Sequence, residues 1–272
     1  MSGNMRIVAH ILVKNEEKWI WYSLMSVLDY VDEILVWDAG STDRTVEIIK
    51  TISNSKVKFK EIGDVNEKTF TTARQNMLKE SKADWVLIID GDEIWPKEAI
   101  LQTVSAMKEK NPNIEYLVNK YINLVGDVYH YQEPQASHYR IGEYYGNFTI
   151  RAVNLKAILG LHFGNPYGSE GFFDSTNTPI QNRLPFKAKL ISTPYLHTTH
   201  LIRSYKDNLV MQRKSKLKYE LGIHVPVNFS YPTCFYLPKP GIVSSPWVKR
   251  NLSYILNASW QTPIKYITRR IK

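Results

Sequence analysis

Apolar runs separated by amphipathic segments fill the first third of the chain. The apolar runs have the length of buried strands, and we predict strands at residues 7–13, 33–37, 57–62 and 85–89. The segments between them favour helices at residues 17–28, 44–52 and 72–80. This alternation predicts an α/β fold with a mostly parallel sheet and flanking helices, whose ligands bind at the carboxyl ends of the strands.

The middle of the chain loses this alternation. A strand pair is predicted at residues 116–124 and 127–131, joined across Val125 and Gly126. Residues 132–187 are rich in Tyr, Gly, Asn and Pro and contain only short apolar runs. We interpret them as a loop-rich substrate region and not as a separate core.

The last quarter has a different character again. A helix is predicted over 204–221, and the five prolines between Pro226 and Pro246 indicate an extended segment that wraps the domain. Two short amphipathic helices are then predicted, each with proline at its first position. The predicted organisation is one domain over 1–225, with halves 1–110 and 111–225, followed by a proline-rich extension over 226–272.

Composition limits the class of protein. The chain is 43% hydrophobic and 22% charged, as expected for a globular protein, and no apolar run approaches the roughly 20 residues of a membrane-spanning helix. Residues 5–13 are too short and too polar for a signal peptide. The single cysteine, Cys234, excludes a disulfide framework, which favours a cytoplasmic location.

The positive charge belongs to one end of the chain. The net charge is +9, yet residues 201–272 alone carry +11, so the first two hundred residues carry −2. The basicity therefore describes a partner of the C-terminal end, and nucleic acid is not expected as the main partner.

Acidic residues follow two of the predicted strands. Asp38 ends the second strand before a glycine turn, where it can accept hydrogen bonds from a ribose or base, or simply form the turn before a helix capped by Asp43. Asp90, Asp92 and Glu93 follow the fourth strand. Such closely spaced acids either bind a divalent cation or form a solvated loop, and Arg74 can pair with Asp90 or with a phosphate.

Taken together, residues 5–95 resemble the nucleotide-binding half of family-2 glycosyltransferases, which have the GT-A fold. Four elements carry the resemblance in order: an Asn-Glu turn at 14–17, an Asp-x-Gly-Ser-Thr-Asp element at 38–43, an Ala-Arg-Asn helix at 73–76 and an Asp-x-Asp signature at 90–92. Two residues depart from the pattern: Gln75 replaces Asn, and Ala39 replaces a second Asp, which argues against uracil recognition by that position. The Gln/Arg-x-x-Arg-Trp signature of processive synthases is absent.

The resemblance implies an inverting, metal-dependent, non-processive enzyme that transfers a sugar from a nucleotide-sugar donor to a hydroxyl of a glycan or lipid-linked acceptor. Asp38 and Asp90 are expected to contact the nucleoside, and Asp92 is expected to hold Mn²⁺ or Mg²⁺. The nucleotide-sugar-binding residues that it implies are Lys14, Glu16, Asp38, Arg74, Asp90 and Gly91.

Further candidates lie in the second half. Many GT-A enzymes supply a histidine there, so His197 and His200 are expected metal ligands, although each is alternatively a hydrogen-bonded or exposed histidine. Glu170, among glycines and aromatics, is the expected catalytic base. Asp174 and then Glu143 are its alternatives, and any of the three is otherwise a surface acid.

Other functions remain open at this stage. A nucleotidyltransferase on a similar sheet would also use metal-binding carboxylates, but the acidic turn at 14–17 disfavours it. A second alternative is a basic nucleic-acid- or membrane-binding protein with a degenerate transferase domain. Residues 246–272 combine basic and apolar side chains, so they are expected either to dock on an anionic membrane surface, as a peripheral protein on its cytoplasmic face, or to fold back onto the domain.

Overall fold

The computed structural model describes residues 5–109, 111–136, 139–204 and 218–271. The strands within these ranges are β1 (Ile7–Val13), β2 (Glu33–Asp38), β3 (Val57–Glu61), β4 (Trp85–Ile89), β5 (Glu93–Ile94), β6 (Tyr116–Val125), β7 (Asp127–Tyr131), β8 (Tyr139–Ile141), β9 (Tyr144–Gly146), β10 (Phe148–Asn154), β11 (His162–Gly164), β12 (Gly171–Phe173), β13 (Ala188–His200) and β14 (Ile223–His224). The helices are α1 (Ile20–Val27), α2 (Thr45–Lys50), α3 (Phe70–Glu80), α4 (Lys97–Lys108) and α5 (Leu252–Ile271).

One mixed sheet organises the described residues. Its main path runs β14-β7-β6-β10-β4-β1-β2-β3, and β13 pairs with both β5 and β6. Strands β4, β1, β2 and β3 are mutually parallel, as the alternation of strands and helices predicts. β1 and β4 are apolar along most of their length and buried at every position, because helices cover both faces of this part of the sheet.

The bounds predicted for β1 and β4 are confirmed, and the pairing of β6 with β7 is confirmed as well. The first helix begins at Ile20, three residues later than expected. The reason is local: the backbone N–H groups of Asn15 and Glu16 donate to the Ser41 and Thr45 side chains, at 2.9 and 2.8 Å, which holds this segment as a turn.

The interpretation of 132–187 as loop-rich is wrong for residues 148–154. They form β10, which lies antiparallel between β4 and β6 at the centre of the sheet. The polar residues Thr149 and Arg151 concealed the strand, because a charged side chain is rarely buried without a partner. The structure supplies partners for Arg151, as described below, and β13, which runs parallel to β6, was not predicted either.

The proline-rich segment wraps the domain as expected. Cys234, Phe235 and Val243 belong to the main hydrophobic core, and the Tyr22 hydroxyl donates to the Ser244 carbonyl at 2.6 Å. Of the helix expected over 204–221, residues 205–217 lie outside the described ranges, and residues 218–221 are not helical.

The two short C-terminal helices that we expected are one helix, α5, with Pro263 inside it. Helicity starts at Leu252 and not at Pro246, since the preceding residues are held by the domain: Trp247 packs edge-on against Phe235, and Arg250 donates to the Leu221 carbonyl at 2.6 Å. Pro263 removes one backbone donor, yet the helix continues through it. None of the described helices is both long enough and apolar enough to cross a membrane.

A buried ion pair fixes α5 to the domain. Glu220 is 2% exposed, and Arg269 donates to both of its carboxylate oxygens at 2.8 and 2.9 Å. Burial acts to raise the pKa of Glu220, but the hydrogen bonds from Arg269 outweigh it and hold the pKa below the usual 4.5. The pair therefore stabilises the fold above pH 4.5, and this contribution is lost as the pH falls through the lowered pKa.

We predict that Arg269→Ala lowers the free energy of unfolding by about 2 kcal/mol at pH 7, because it leaves a buried carboxylate without its main partner. Urea denaturation measures this loss. Arg6→Ala removes the exposed pair with Glu33 and should cost under about 1 kcal/mol. Equal losses in the two variants would contradict the assignment.

Glu220→Gln should weaken the acid dependence of the free energy of unfolding below pH 4.5, because the group that titrates is removed.

Candidate active site

A cavity of about 200 Å³ opens at the carboxyl ends of β1, β2 and β4. The second half of the chain completes its walls, as expected at this edge of an α/β sheet. Among the residues predicted from the sequence, it is lined by Lys14, Glu16, Arg74, Asp90, Gly91, Asp92, Glu170 and His197. Asp38, Asp174 and His200 do not line it.

Asp90 is held by two guanidinium groups. Arg74 Nη2, from α3, donates to Oδ1 at 2.7 Å, and Arg151 Nη2, from β10, donates to Oδ2 at 2.8 Å. Burial acts to raise the pKa of Asp90, but Arg151 and then Arg74 outweigh it and the pKa is lowered. Of the two partners considered for Arg74, the structure shows Asp90, while Arg74 Nη1 is buried without a hydrogen-bond partner among the described residues.

Arg151 also holds Glu93, a carboxylate with no exposed surface. Burial raises the pKa of Glu93 to about 7, although Arg151 acts to lower it. The Arg151 Nε donates to the Tyr195 hydroxyl at 3.2 Å, and the Tyr195 ring stacks on Trp95 with 4.7 Å between centroids. Arg151 therefore joins the acidic turn after β4 to the strands of the second half.

The position of Asp92 is set by β13. The Thr198 N–H donates to the Asp92 carbonyl at 2.8 Å, next to the pairing of β5 with β13. This brings the Asp92 carboxylate 3.4 Å from His197 Nε2. Burial acts to lower the pKa of His197, but the Asp92 charge and hydrogen bond outweigh it and raise the pKa. No group of three or more His, Cys, Asp or Glu in the described ranges is arranged to hold a metal ion.

Arg203 faces the same cavity from the segment after β13. Its backbone carbonyl accepts the Lys18 N–H at 3.0 Å, and the Trp19 indole N–H donates to the Ile202 carbonyl at 2.9 Å. Its guanidinium contacts the Glu16 carboxylate and lies 3.4 Å from Asp92. The Arg203 guanidinium thus lies between the buried carboxylates of Glu16 and Asp92, and Arg203 also lines the cavity.

Asp38 shapes the turn that borders the cavity. Its Oδ2 accepts the backbone N–H groups of Gly40, at 3.1 Å, and Ser41, at 2.9 Å. Gly40 has φ +82°, and a Cβ there would lie 3.0 Å from the Asp64 backbone, so glycine is required. Ala39, and not Asp38, lines the cavity, and the expected contact of Asp38 with a nucleoside stays a prediction.

Gly91 permits the close approach of two segments. A Cβ at this position would lie 2.9 Å from Glu16 Cγ and 3.0 Å from Val13 Cγ2. The side chains that approach this glycine belong to Val13, the last residue of β1, and to Glu16 in the turn after it. Any larger residue would push the acidic turn away from the turn at residues 14–17.

The two histidines differ in the cavities that they line. His197 lines the first cavity with Asp92, whereas His200 does not; His200 lines a groove beside Trp19 and Leu201 and shares another groove with His197. The structure therefore brings one histidine to Asp92 and not the other. His200 as a metal ligand is a prediction without support from this geometry.

Glu170 lies where the first cavity meets a second one of about 560 Å³. Arg74, Asp90 and His197 also line both cavities. Aromatic rings form much of the second cavity, including Tyr121, Tyr139, Phe148, Phe163, Phe172 and Tyr195. The Glu170 carboxylate accepts the Gly168 N–H, so it is oriented by its own loop.

Asp174, the alternative to Glu170, lies elsewhere. Its carboxylate accepts N–H groups from Thr176 and Thr178, at 2.9 and 3.1 Å, and pairs with Arg183 at 3.0 Å. The hydrogen bond from Thr176 is the main cause of its lowered pKa. Glu143 is exposed on the loop between β8 and β9 and lines neither cavity.

Sequence reasoning did not find Arg151, Tyr167 or Tyr195. Tyr167 lines the first cavity, and burial raises its pKa to about 12. Each of these residues lies in a part of the chain where the alternation of apolar runs is weak. The one signal that could have found Arg151 is an arginine between apolar residues at strand spacing, in FTIRAVN.

Comparisons with known proteins show what the chain is similar to. Residues 9–167 match the family model described as glycosyl transferase family 2. The SPbeta prophage-derived glycosyltransferase SunS of Bacillus subtilis is 36% identical over 98 residues, which are 36% of this chain and 22% of SunS. An uncharacterized glycosyltransferase of Rickettsia typhi is 32% identical over 124 residues, which are 45% of this chain and 40% of that protein. The chain thus matches less than half the length of these relatives.

Solved structures are also similar. S. aureus TarS has a TM-score of 0.48 and 17% identity, over 72% of this chain and 37% of TarS. Glucosyl-3-phosphoglycerate synthase from Mycobacterium tuberculosis, in complex with Mn²⁺ and UDP-glucose, has a TM-score of 0.33 and 24% identity, over 44% of each chain.

We predict that Arg151→Ala lowers the free energy of unfolding by about 3 kcal/mol, because Glu93 then stays buried without its cation. Urea denaturation of Arg151→Ala with Glu93→Gln should recover much of this loss, since the double variant buries no unpaired charge. Arg140→Ala, an exposed arginine of the same region, should change little. An Arg151→Ala variant as stable as the parent would contradict the assignment.

Proposed function

Because the chain belongs to glycosyl transferase family 2 and has its GT-A fold, we propose that it transfers a sugar from a nucleotide-sugar donor to a hydroxyl acceptor, with inversion at the anomeric carbon. The observation that carries the proposal is the first cavity, where the acidic turn after β4 meets His197 and Arg203 from the second half. Family membership favours this reaction over nucleotidyl transfer.

The first cavity is the proposed donor site. Leu12, Val13, Ala39 and Val65 give it an apolar wall next to the carboxyl ends of β1 and β2, which suits a nucleoside. The charged wall suits a diphosphate, since Arg203 faces the cavity and Arg74 has an unused N–H group. Lys14 contacts Asp64 and donates to the Val65 carbonyl at 3.2 Å, at the border of the apolar wall.

Mn²⁺ or Mg²⁺ fits this donor set. Asp92 Oδ2 and His197 Nε2 lie 3.4 Å apart on the same cavity, and carboxylate oxygen with imidazole nitrogen suits such a cation when substrate phosphates supply further oxygens. When bound, the cation would neutralise charge on the diphosphate leaving group. Asp92 and His197 are the residues proposed to hold it.

The second cavity is the proposed acceptor site, with Glu170 as the base. Glu170 takes the proton of the acceptor hydroxyl while that oxygen bonds to the anomeric carbon. The bond from this carbon to the diphosphate breaks at the same time, and the diphosphate leaves with the electron pair on the opposite side. The aromatic lining of the second cavity suits the apolar faces of a glycan or the first part of a lipid-linked acceptor.

We propose the cytoplasmic face of a membrane as the place of the reaction. Cys234, the single cysteine, is buried and makes no disulfide, in keeping with a reducing compartment. The segment 246–272 is the proposed membrane contact.

A panel of UDP-, GDP-, CDP- and dTDP-sugars tests the donor site by thermal shift. We expect one nucleotide class, with Mn²⁺, to raise the Tm by about 5 °C at saturation. Asp92→Asn should lose the Mn²⁺-dependent part of the shift, and Asp174→Asn, outside the cavity, should keep it. If no donor stabilises the protein, the proposed function is wrong.

Donor hydrolysis and transfer measure the role of Glu170. Glu170→Gln should lower kcat about 10²–10⁴-fold while the donor-induced Tm shift is kept, because the base acts after the donor is bound. Glu143→Gln is the matched control for an exposed glutamate and should keep full activity. Equal activity of Glu170→Gln and the parent would remove Glu170 as the base.

A further inference from the structure

The C-terminal helix α5 turns its polar side inward. Arg269 pairs with Glu220 and, at 3.1 Å, with Glu133, and Lys265 donates to the Tyr219 carbonyl at 2.9 Å. The Tyr254 hydroxyl donates to the Lys218 carbonyl at 2.8 Å. Most of the basic charge on this helix is therefore neutralised by the domain, which the sequence pattern did not indicate.

The opposite side of α5 is a continuous apolar surface, which we call the outer stripe. Its members recur at intervals of four, four, four, three and four residues, so they share one face of a helix with 3.6 residues per turn. They are exposed by 54–80% of their surface and are Leu252, Leu256, Trp260, Ile264, Ile267 and Ile271. Over 20 residues the stripe is about 30 Å long.

A helix in a globular protein normally has the reverse orientation, with its apolar face on the core. In α5 only Ala258 is buried. A row of large exposed apolar side chains marks an interaction surface, because the exposed apolar residues of a protein are usually scattered singly over its surface. The polar side of α5 holds the helix on the domain, so its apolar side can bind a partner while the helix stays in place.

Charge indicates the kind of partner. Residues 246–272 contain six Lys or Arg and no Asp or Glu. Lys249 is exposed just before α5. Arg270 pairs with Glu133 at 3.1 Å, yet 39% of its side chain stays exposed at the edge of the outer stripe. Two copies joined through the stripe would bring two such basic segments together, whereas an anionic surface complements them.

We propose that the outer stripe of α5 lies flat in the headgroup region of an anionic phospholipid membrane, with Lys249 and the exposed part of Arg270 at the lipid phosphates. Trp260 and Tyr266 suit this depth, since aromatic residues with a polar edge concentrate at the membrane interface. The inference rests on the membrane location proposed above and not on the transfer reaction. The apolar side chains supply most of the membrane contact, because most of the cations of α5 pair with groups of the domain.

Vesicle co-sedimentation at physiological salt tests the proposal. The full chain should bind phosphatidylcholine vesicles that contain roughly 30% phosphatidylglycerol and bind pure phosphatidylcholine at least about tenfold more weakly. Trp260→Glu with Ile267→Glu should lose binding at least about tenfold. The matched control is Leu159→Glu, which charges a leucine that is 82% exposed on the domain and should bind like the parent.

Further measurements separate the other outcomes. Donor-induced thermal shifts check that the stripe variant is folded, and Ile264→Ser with Ile271→Ser is a milder variant that should also weaken binding. Analytical ultracentrifugation measures association between copies. A dimer that the stripe variants dissociate, or vesicle binding unchanged in both stripe variants, would overturn the proposal. A failed donor panel with intact vesicle binding would instead contradict the transferase function alone.

Discussion

The carboxylate of Asp90 is shared between two arginines from distant parts of the chain, and the arrangement of the cavity depends on this contact. Arg74 comes from a helix of the first half and Arg151 from a strand of the second. Neither guanidinium alone would fix both oxygens. With both present, the turn that carries Asp92 has one position relative to the two halves, so the proposed donor and acceptor cavities meet at a defined edge.

This contact also explains a charged residue at the centre of a sheet. Arg151 is 11% exposed as a side chain, and a lone guanidinium there would be costly to desolvate. The carboxyl groups of Asp90 and Glu93 offset that cost, because both pair with the guanidinium. Three ionic side chains thereby replace the apolar contacts that a central strand usually makes.

The first third of the fold follows from the sequence because β1 and β4 are buried at every position and are almost entirely apolar, while β3 alternates apolar and polar residues. Ile7–Val13 and Trp85–Ile89 could be predicted to the residue for this reason. Strand β10 could not be predicted, because a charged residue such as Arg151 indicates an exposed position unless its buried partners are known. Partners so far apart in sequence leave no local pattern.

The site residues also divide into those that a local sequence pattern predicts and those that depend on distant contacts. Asp90, Asp92 and Gly91 follow a clear strand and lie on the cavity as expected, whereas His200 could not be told from His197 by spacing. The register of β13 on β5 and β6 decides between them, and it shifts between His197 and His200. For α5 the amphipathic pattern was visible, but which side faces the domain depends on Glu220 and Glu133.

The hydrogen bond from Thr198 to the Asp92 carbonyl has a consequence for synthesis of the chain. It spans 106 residues, and Arg203 follows five residues later. The region shared with the family ends at residue 167, so a nascent chain of that length has the acidic turn but not the strand that holds it. The cavity can therefore close only after residues through Arg203 have left the ribosome, so the acidic turn is synthesised well before the strand that holds it.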